Sequence, residues 1–273
     1  MEGFVIANVV LNDAMIMLEQ TSRTFYIPIS RLEPGLREAV TSGYLAMRAI
    51  DEIEDHEELA DERKVELLNR VRDALRSDQP IEETAKVLRP TDCGLPAVTT
   101  QLDDWLALCP PTAAPIVIRY TAMMSEQMAE WVVTGWNIKT EEDLDRYTYS
   151  VAGMVGEMLS ELWQWYDGTS SDMIKAVAFG RGLQAVNIMR NREEDLKRGV
   201  DFFPDGWSFK DMLQYTKRNL KMADDYIAEL KEGPAMRFCK IPLALAHATT
   251  KLLAVGGNKL TRAAVLKIVG QFN

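Results

Sequence analysis

The segment LREAVTSGYLAMRAIDEIED, residues 36–55, carries apolar residues at helical spacing and ends in an acidic cluster, Asp51 to Asp55. A second cluster, NREED at residues 191–195, repeats its spacing: Asp or Asn, then Glu and Asp three and four residues later. On a helix, positions i, i+3 and i+4 lie on one face, about one turn apart. Each cluster therefore predicts a helix face from which three oxygen-bearing side chains point the same way.

Two such faces turned towards each other would enclose a cavity walled by carboxylates. Hard divalent cations such as Mg²⁺ take oxygen ligands, and proteins commonly hold Mg²⁺ with one or two carboxylates together with substrate phosphates. The simplest task for this arrangement is therefore to hold metal ions against a diphosphate. The candidate metal ligands of the two clusters are Asp51, Glu54, Asp55, Asn191, Glu194 and Asp195.

A polar stripe continues the second cluster towards the N-terminus. Gln184 and Asn187 precede Asn191 at helical spacing, within a segment that is otherwise apolar. Burying such a stripe without partners is costly, and metal ions or a diphosphate are suitable partners. We therefore add Gln184 and Asn187 to the candidate metal ligands. The acidic residues at 57–62 are instead interpreted as a solvated helix face, the usual role of an isolated charge run.

The composition is that of a globular protein and excludes several classes of function. The chain has 273 residues, of which 47% are hydrophobic and 26% charged. A net charge of −10 argues against binding nucleic acid. Three cysteines without C-x-x-C spacing indicate reduced thiols rather than disulfides or a zinc site. There is no basic start typical of a signal peptide and no apolar run of ~18 residues. We expect a cytoplasmic protein that could contact a membrane only peripherally.

Helical periodicity extends through almost the whole chain, and no segment shows sustained strand alternation. We predict an all-α fold with a single domain over residues 1–273. Pro28, Pro34 and Gly35 predict a break, residues 77–115 are the most interrupted stretch, and residues 199–207 read as a loop. The predicted helices cover residues 11–20, 36–53, 61–75, 116–133, 143–166, 171–195, 209–230 and 242–253.

Two glycine pairs stand inside predicted helices, at residues 153 and 156 and at residues 180 and 182. Each glycine lowers the stability of a helix by about 1 kcal/mol relative to alanine. The missing side chains would let either a neighbouring helix or a ligand approach the backbone closely.

Arginines accompany the acidic clusters, and the guanidinium group recognises phosphate oxygens in a planar, bidentate way. We expect Arg23 and Arg48 to contact a diphosphate. For Arg192 and Lys197 we expect ordinary ion pairs with glutamates one helical turn away, which contribute only tenths of a kcal/mol.

The chain resembles the squalene and phytoene synthase family, the head-to-head trans-isoprenyl diphosphate synthases, from about Leu18 to Val269, and within it the squalene synthases. TSRTF at residues 21–25 is similar to the family's diphosphate-binding segment. MRAIDEIED at residues 47–55 and QAVNIMRNREED at residues 184–195 are similar to its two aspartate-rich motifs.

Three further segments carry the resemblance. YTYSVAGMVG at residues 147–156 is similar to a segment whose leading tyrosine is implicated in catalysis. FCKIP at residues 238–242 matches one whose phenylalanine lines a carbocation pocket, and KLTR at residues 259–262 lies where the family has a basic segment tied to reduction. The resemblance implies these roles: catalytic Tyr147, Phe238, Asp51 and Asp55; diphosphate-binding Ser22, Arg23, Arg48 and Arg190; cofactor-binding Lys259 and Arg262.

The resemblance also implies a fold and a reaction. The fold would be the isoprenoid synthase (class I terpenoid synthase) helical bundle around a central cavity. The reaction would join two farnesyl diphosphates through presqualene diphosphate to squalene, with Mg²⁺ and with NADPH as reductant. The alternatives are a dehydrosqualene or phytoene synthase and a diverged terpene synthase or phosphatase that ionises a single diphosphate. Substrate chain length, NADPH dependence and oligomeric state stay open.

Asn191 departs from the family pattern, which has Asp at this position. An amide oxygen can bind a metal ion but brings no negative charge, so we expect weaker Mg²⁺ binding at the second motif. We favour a working synthase with a neutral ligand, over one that stops at or diverts presqualene diphosphate. A non-catalytic isoprenoid-binding relative is the alternative from another class, although buried carboxylates without a metal are costly.

Overall fold

The protein is described from a computed structural model that covers residues 2–90 and 93–272, with the backbone alone for residues 2–8 and Arg23. Within these residues every regular element is a helix, which confirms the all-α prediction. The chain divides into two compact units, Met1–Gly135 and Trp136–Asn273, and each is described by itself. The single domain over the whole chain stays a prediction.

The first unit is organised around its third helix, Leu36–Glu54, which packs against most of the other helices of the unit. Most of that helix is buried, and its inward residues are apolar or small, among them Leu45, Ala46, Ile50 and Ile53. Small residues let neighbouring helices approach closely, and the branched ones fill the space between them. The helices are α1 (Glu2–Thr21), α2 (Arg23–Ser30), α3 (Leu36–Glu54), α4 (Asp61–Leu75), α5 (Pro80–Leu88), α6 (Ala97–Thr100), α7 (Leu102–Leu108) and α8 (Ala114–Thr134).

The second unit is organised around its longest helix, Met173–Lys197, which contacts four other helices of the unit and a short π-helix. Its N-cap, Asp172, accepts hydrogen bonds from the backbone N–H groups of Ile174 and Lys175. The elements are α9 (Glu141–Thr148), the π-helix (Tyr149–Gly153), α10 (Met154–Asp167), α11 (Met173–Lys197), α12 (Phe209–Glu229), α13 (Pro234–Ala254), α14 (Arg262–Val269) and a 3₁₀ helix (Gly270–Phe272).

Several predicted boundaries are wrong for identifiable reasons. The predicted helix at 143–166 is divided, because the backbone widens into the π-helix at Tyr149–Gly153. Pro28 lies inside α2 instead of ending it. Helix α13 begins eight residues before the predicted start, with Pro234 at its first position, where a missing N–H costs nothing. Helix α1 begins nine residues before the predicted start at residue 11. The other long helices are confirmed to within a few residues.

Among the residues that the structure describes, no helix combines the length and apolar character that crossing a membrane requires. All three cysteines are free, which agrees with the predicted reduced thiols.

Candidate active site

The first acidic cluster lies at the C-terminal end of α3. Asp51 occupies the last turn, and Asp55 is the C-cap, whose backbone N–H donates to the Asp51 carbonyl oxygen at 2.8 Å. The Arg48 guanidinium forms an ion pair with Glu52 and lies 3.8 Å from the Asp51 carboxylate. The i, i+4 ion pair therefore forms, and the contact of Arg48 with a diphosphate stays a prediction.

The environment of Asp51 disfavours a bare carboxylate. Its side chain keeps 34% of its surface accessible, so small ions can reach it. Burial within the surrounding protein nevertheless raises the pKa of Asp51 to about 7, although the Arg48 guanidinium opposes the rise. The negative charges of Asp55 and Glu52 raise it further. A carboxyl group in these surroundings is stabilised as a carboxylate when a cation binds beside it.

Sequence reasoning missed one residue of this site, Tyr44. It precedes Arg48 by four residues and Asp51 by seven, and both charges act on its phenol. Burial raises the pKa of Tyr44, and a hydrogen bond with Ser22 partly opposes the rise. The Ser22 hydroxyl also caps α2 by accepting from the backbone N–H of Phe25 at 3.1 Å. The i, i+4, i+7 spacing along α3 was the available signal.

The structure therefore places Ser22, Tyr44, Arg48 and Asp51 together in the first unit. Arg23 is the first residue of α2, but its side chain lies outside the described residues. Glu54 is half-buried in the last turn of α3, and Asp55 is exposed.

The second acidic cluster lies near the C-terminal end of α11. The side chains of Asn187 and Gln184 lie 3.4 Å apart, and both are half-buried. The Arg190 guanidinium donates from Nε to the Asn191 amide oxygen at 3.1 Å, so the neutral residue already accepts a charged hydrogen bond. Glu194 is exposed and Asp195 is half-buried.

The prediction for Arg192 was wrong about its partner. Its guanidinium binds Asp201 at 2.7 Å, nine residues further on, and lies over the ring of Phe203 at 3.8 Å. The loop after α11 turns back onto the end of the helix and brings Asp201 within reach, which helical spacing cannot predict. Lys197 is exposed in the last turn of α11.

Tyr147 lies in an aromatic cluster in the second unit. Only 7% of its surface is exposed. Its ring stacks on that of Phe202, with centroids 4.5 Å apart, and meets the edge of Trp136 at 5.9 Å. Trp136 and Phe202 lie outside the helices, so no periodicity identified them. The φ angle of Trp136 is +56°, which is rare for a bulky residue. Such a conformation persists only where the surrounding structure holds the residue in it.

The remaining predicted site residues lie in α13 and beyond. Phe238 is 4% exposed and packs against Trp163 at 5.4 Å between ring centroids. Lys259 is exposed in the turn before α14, and Arg262 is exposed at the first position of that helix, after the N-cap Thr261. Their roles stay predictions.

The glycine pairs are explained mainly by helix packing. A Cβ at Gly156 would lie 2.1 Å from the Ala176 carbonyl oxygen, and one at Gly180 would lie 2.1 Å from that of Ala152. Backbone therefore packs directly on backbone between α11 and the segment that contains the π-helix.

The donor atoms of the acidic clusters determine which metal ion they could bind. Within residues 2–90 and 93–272, no three His, Cys, Asp or Glu side chains form a metal-binding group by themselves. The oxygen donors Asp51 and Asp55 fit Mg²⁺ only if substrate phosphates or further ligands complete its coordination, which is a common arrangement for this ion. The two acidic clusters lie in different units, so a shared site stays a prediction.

Comparison with known proteins finds related squalene synthases. A family model of squalene/phytoene synthases matches residues 18–211. The squalene synthase of Eremothecium gossypii is 30% identical over 288 residues, covering 92% of this chain and 64% of that protein. The squalene synthase of Bos taurus is 28% identical over 278 residues, covering 92% and 65%. This chain thus spans less than two thirds of the length of either relative.

Solved structures show the same fold. The complex of TcSQS with the ligand BPH1237 covers 96% of this chain and 86% of that chain, with a TM-score of 0.79 and 23% identity. A dehydrosqualene synthase in complex with a ligand covers 98% and 97%, with a TM-score of 0.63 and 17% identity. The helical isoprenoid synthase fold is thereby confirmed. With 194 consecutive residues matched by the family model, this chain belongs to the squalene/phytoene synthase family.

Proposed function

We propose that this protein is a squalene synthase: it condenses two farnesyl diphosphates head to head through presqualene diphosphate to squalene. The observation that carries the proposal is the 30% identity to a squalene synthase over 92% of this chain. The placement of Tyr44, Arg48 and Asp51 beside the cap of α2 supports it, because this cluster combines phosphate donors with metal ligands.

In this proposal the first unit binds the diphosphate that leaves. Asp51 and Asp55 hold Mg²⁺, with Glu54 beside them, and Arg48 donates to phosphate oxygens. Ser22 and Arg23, at the N-terminus of α2, add donors where the helix dipole favours an anion. When bound, Mg²⁺ would supply positive charge that stabilises the departing diphosphate. On α11, Gln184, Asn187, Arg190, Asn191, Glu194 and Asp195 form the second diphosphate and metal face.

In this proposal the aromatic residues of the second unit stabilise the carbocations and shield them from water. Tyr147, Phe202 and Trp136 provide ring faces, which attract cations and exclude water. Phe238 lines the pocket of the later cation. Lys259 and Arg262 bind the phosphates of NADPH, which would supply a hydride for the final reduction.

A second candidate is a synthase that stops at or diverts presqualene diphosphate. The contact that favours it is the Arg190 N–H at 3.1 Å from the Asn191 amide oxygen. A neutral ligand that already accepts from a guanidinium binds Mg²⁺ less strongly than a carboxylate does. The same product analysis tests for the formation of dehydrosqualene or phytoene and for the ionisation of a single diphosphate.

The deciding experiment incubates the protein with farnesyl diphosphate and Mg²⁺, with and without NADPH, and identifies the products by mass spectrometry. We expect Mg²⁺-dependent diphosphate release and squalene only with NADPH. Dehydrosqualene under both conditions would replace the proposal with a dehydrosqualene synthase. No diphosphate release would indicate an isoprenoid-binding relative. Because squalene is insoluble in water, we also propose peripheral membrane contact during product release, measurable as co-sedimentation with vesicles.

A further inference from the structure

A π-helix at Tyr149–Gly153 follows Tyr147. π-Helices are rare, occur mostly as short insertions in α-helices and are frequent at functional sites. Here the insertion lies directly against α11. The Val177 side chain would be 3.1 Å from a Cβ at Gly153, and the Ala152 carbonyl oxygen would be 2.1 Å from one at Gly180. Because Gly180 has no side chain, the backbone of the π-helix can pack directly against the backbone of α11.

Arg181 follows Gly180 and reaches the turn that carries Tyr147. Its Nη2 donates to the Asp145 carbonyl oxygen at 3.0 Å, and its Nε lies 3.7 Å from the Asp145 carboxylate. The Nε is buried and makes no hydrogen bond of its own. The charged contact with Asp145 thus compensates for burying this part of the guanidinium group.

Tyr215 on α12 holds the same turn from another side. Its hydroxyl donates to the Asp145 carboxylate at 2.7 Å and lies 3.1 Å from the Thr148 hydroxyl. Only 1% of Tyr215 is exposed, so its position is set by core packing. Burial raises its pKa, which keeps the proton that it donates.

These contacts bracket Tyr147, because Asp145 and Thr148 lie on either side of it in the chain. We infer that Arg181 is a positioning residue: through Asp145 it fixes the turn that aims the Tyr147 ring and hydroxyl. The inference rests on the proposed function for the role of Tyr147. None of the motifs used above to recognise the family assigns a role to Arg181.

The first test is a double-mutant cycle in the full-length protein, with farnesyl diphosphate as substrate. We expect Arg181→Met to lower kcat by ~10- to 100-fold with KM changed less than ~2-fold, because misplacement by about 1 Å costs rate rather than binding. Arg181→Lys keeps the charge and one donor, so it should recover part of the rate. In a Tyr147→Phe background, Arg181→Met should have almost no further effect.

The control is Lys175→Met, which removes a cation from the same helix. Lys175 lies six residues before Arg181 and pairs with Glu229 on α12. The kcat of the Lys175→Met variant should stay within ~2-fold of wild type, as expected for the loss of a surface ion pair. If the double variant loses rate by the product of the two single losses, Arg181 and Tyr147 act independently. That result would overturn the inference.

A second measurement separates failure of this inference from failure of the proposed function. 3-Fluorotyrosine placed at position 147 gives one ¹⁹F resonance whatever the reaction is. We expect Arg181→Met to shift or broaden it, Arg181→Lys to do so less, and Lys175→Met to leave it unchanged. An unchanged resonance in Arg181→Met would overturn the inference even in an active enzyme. A changed resonance in a protein without turnover would support the positioning and refute the proposed function alone.

Discussion

The ring of Tyr147 stacks on the ring of Phe202, with 4.5 Å between centroids and 14° between planes. Tyr147 comes from α9 and Phe202 from the loop that follows α11, so two distant segments set the position of one phenol. Such pairs contribute about 0.5–1.5 kcal/mol beyond the area that they bury.

Tyr147→Phe retains the stacked ring and removes the hydroxyl. If the hydroxyl assists proton movement or stabilises a cation, kcat should fall by at least ~100-fold, within the range of general acid–base catalysis. The melting temperature should change little. Steady-state kinetics with farnesyl diphosphate and thermal denaturation measure the two effects. Unchanged kinetics and products would leave Tyr147 as a packing residue.

Phe202→Leu retains a buried apolar side chain and removes the aromatic partner of Tyr147. We expect kcat to fall by ~10-fold because the Tyr147 ring loses its fixed orientation. Phe202→Tyr, which keeps the ring, is the control and should stay near wild type. Equal activity in the two variants would show that stacking does not orient Tyr147.

In the proposed mechanism Asp51 and Asp55 each bind the metal that stabilises the leaving group. Asp51→Ala and Asp55→Ala should therefore each reduce turnover more than ~100-fold while the helical circular dichroism is retained. Glu58→Ala is the matched control, since Glu58 is an exposed carboxylate three residues beyond the cluster. Near-normal diphosphate release in either Asp variant would contradict the metal assignment.

Asn191→Asp restores the carboxylate of the family pattern. The added negative charge should lower the Mg²⁺ concentration needed for half-maximal rate, with squalene still the product, because ligand charge sets affinity at oxygen-only sites. If Asn191 diverts the reaction, the product ratio should move towards squalene or dehydrosqualene. Rates across a Mg²⁺ series and product analysis distinguish the two. If neither changes, Asn191 does not face the metal.

Gly156→Ala should lower stability by about 3 kcal/mol, the upper range for overpacking, since its Cβ would meet backbone that cannot rotate away. For a chain of this size that loss lowers Tm by ~5 °C. Gly270→Ala is the control: its φ is −63° and a Cβ there has open space, so its Tm should not fall. A Tm for Gly156→Ala equal to that of the control would contradict the close packing seen at Ala176.

Much of the fold followed from the sequence because it depends on local periodicity. The apolar spacing in residues 36–53 predicted α3, and the Asp51 cluster marked its end. The same spacing placed Gln184, Asn187 and Asn191 on α11. The pattern did not predict the π-helix at Tyr149–Gly153, which packs against bare backbone at Gly180 on a different helix.

The sequence alone determined the helical class and the acidic clusters, because side chains three and four residues apart must share a helix face. Its motifs also indicated the family by resemblance. Only the tertiary structure decided which distant residues meet. It placed Tyr44 with Ser22, Phe202 on Tyr147, and Arg181 on Asp145. Each of these contacts joins segments from different parts of the chain, so helical periodicity cannot predict it. Packing of whole helices brings such pairs together, and their chemistry follows from that packing.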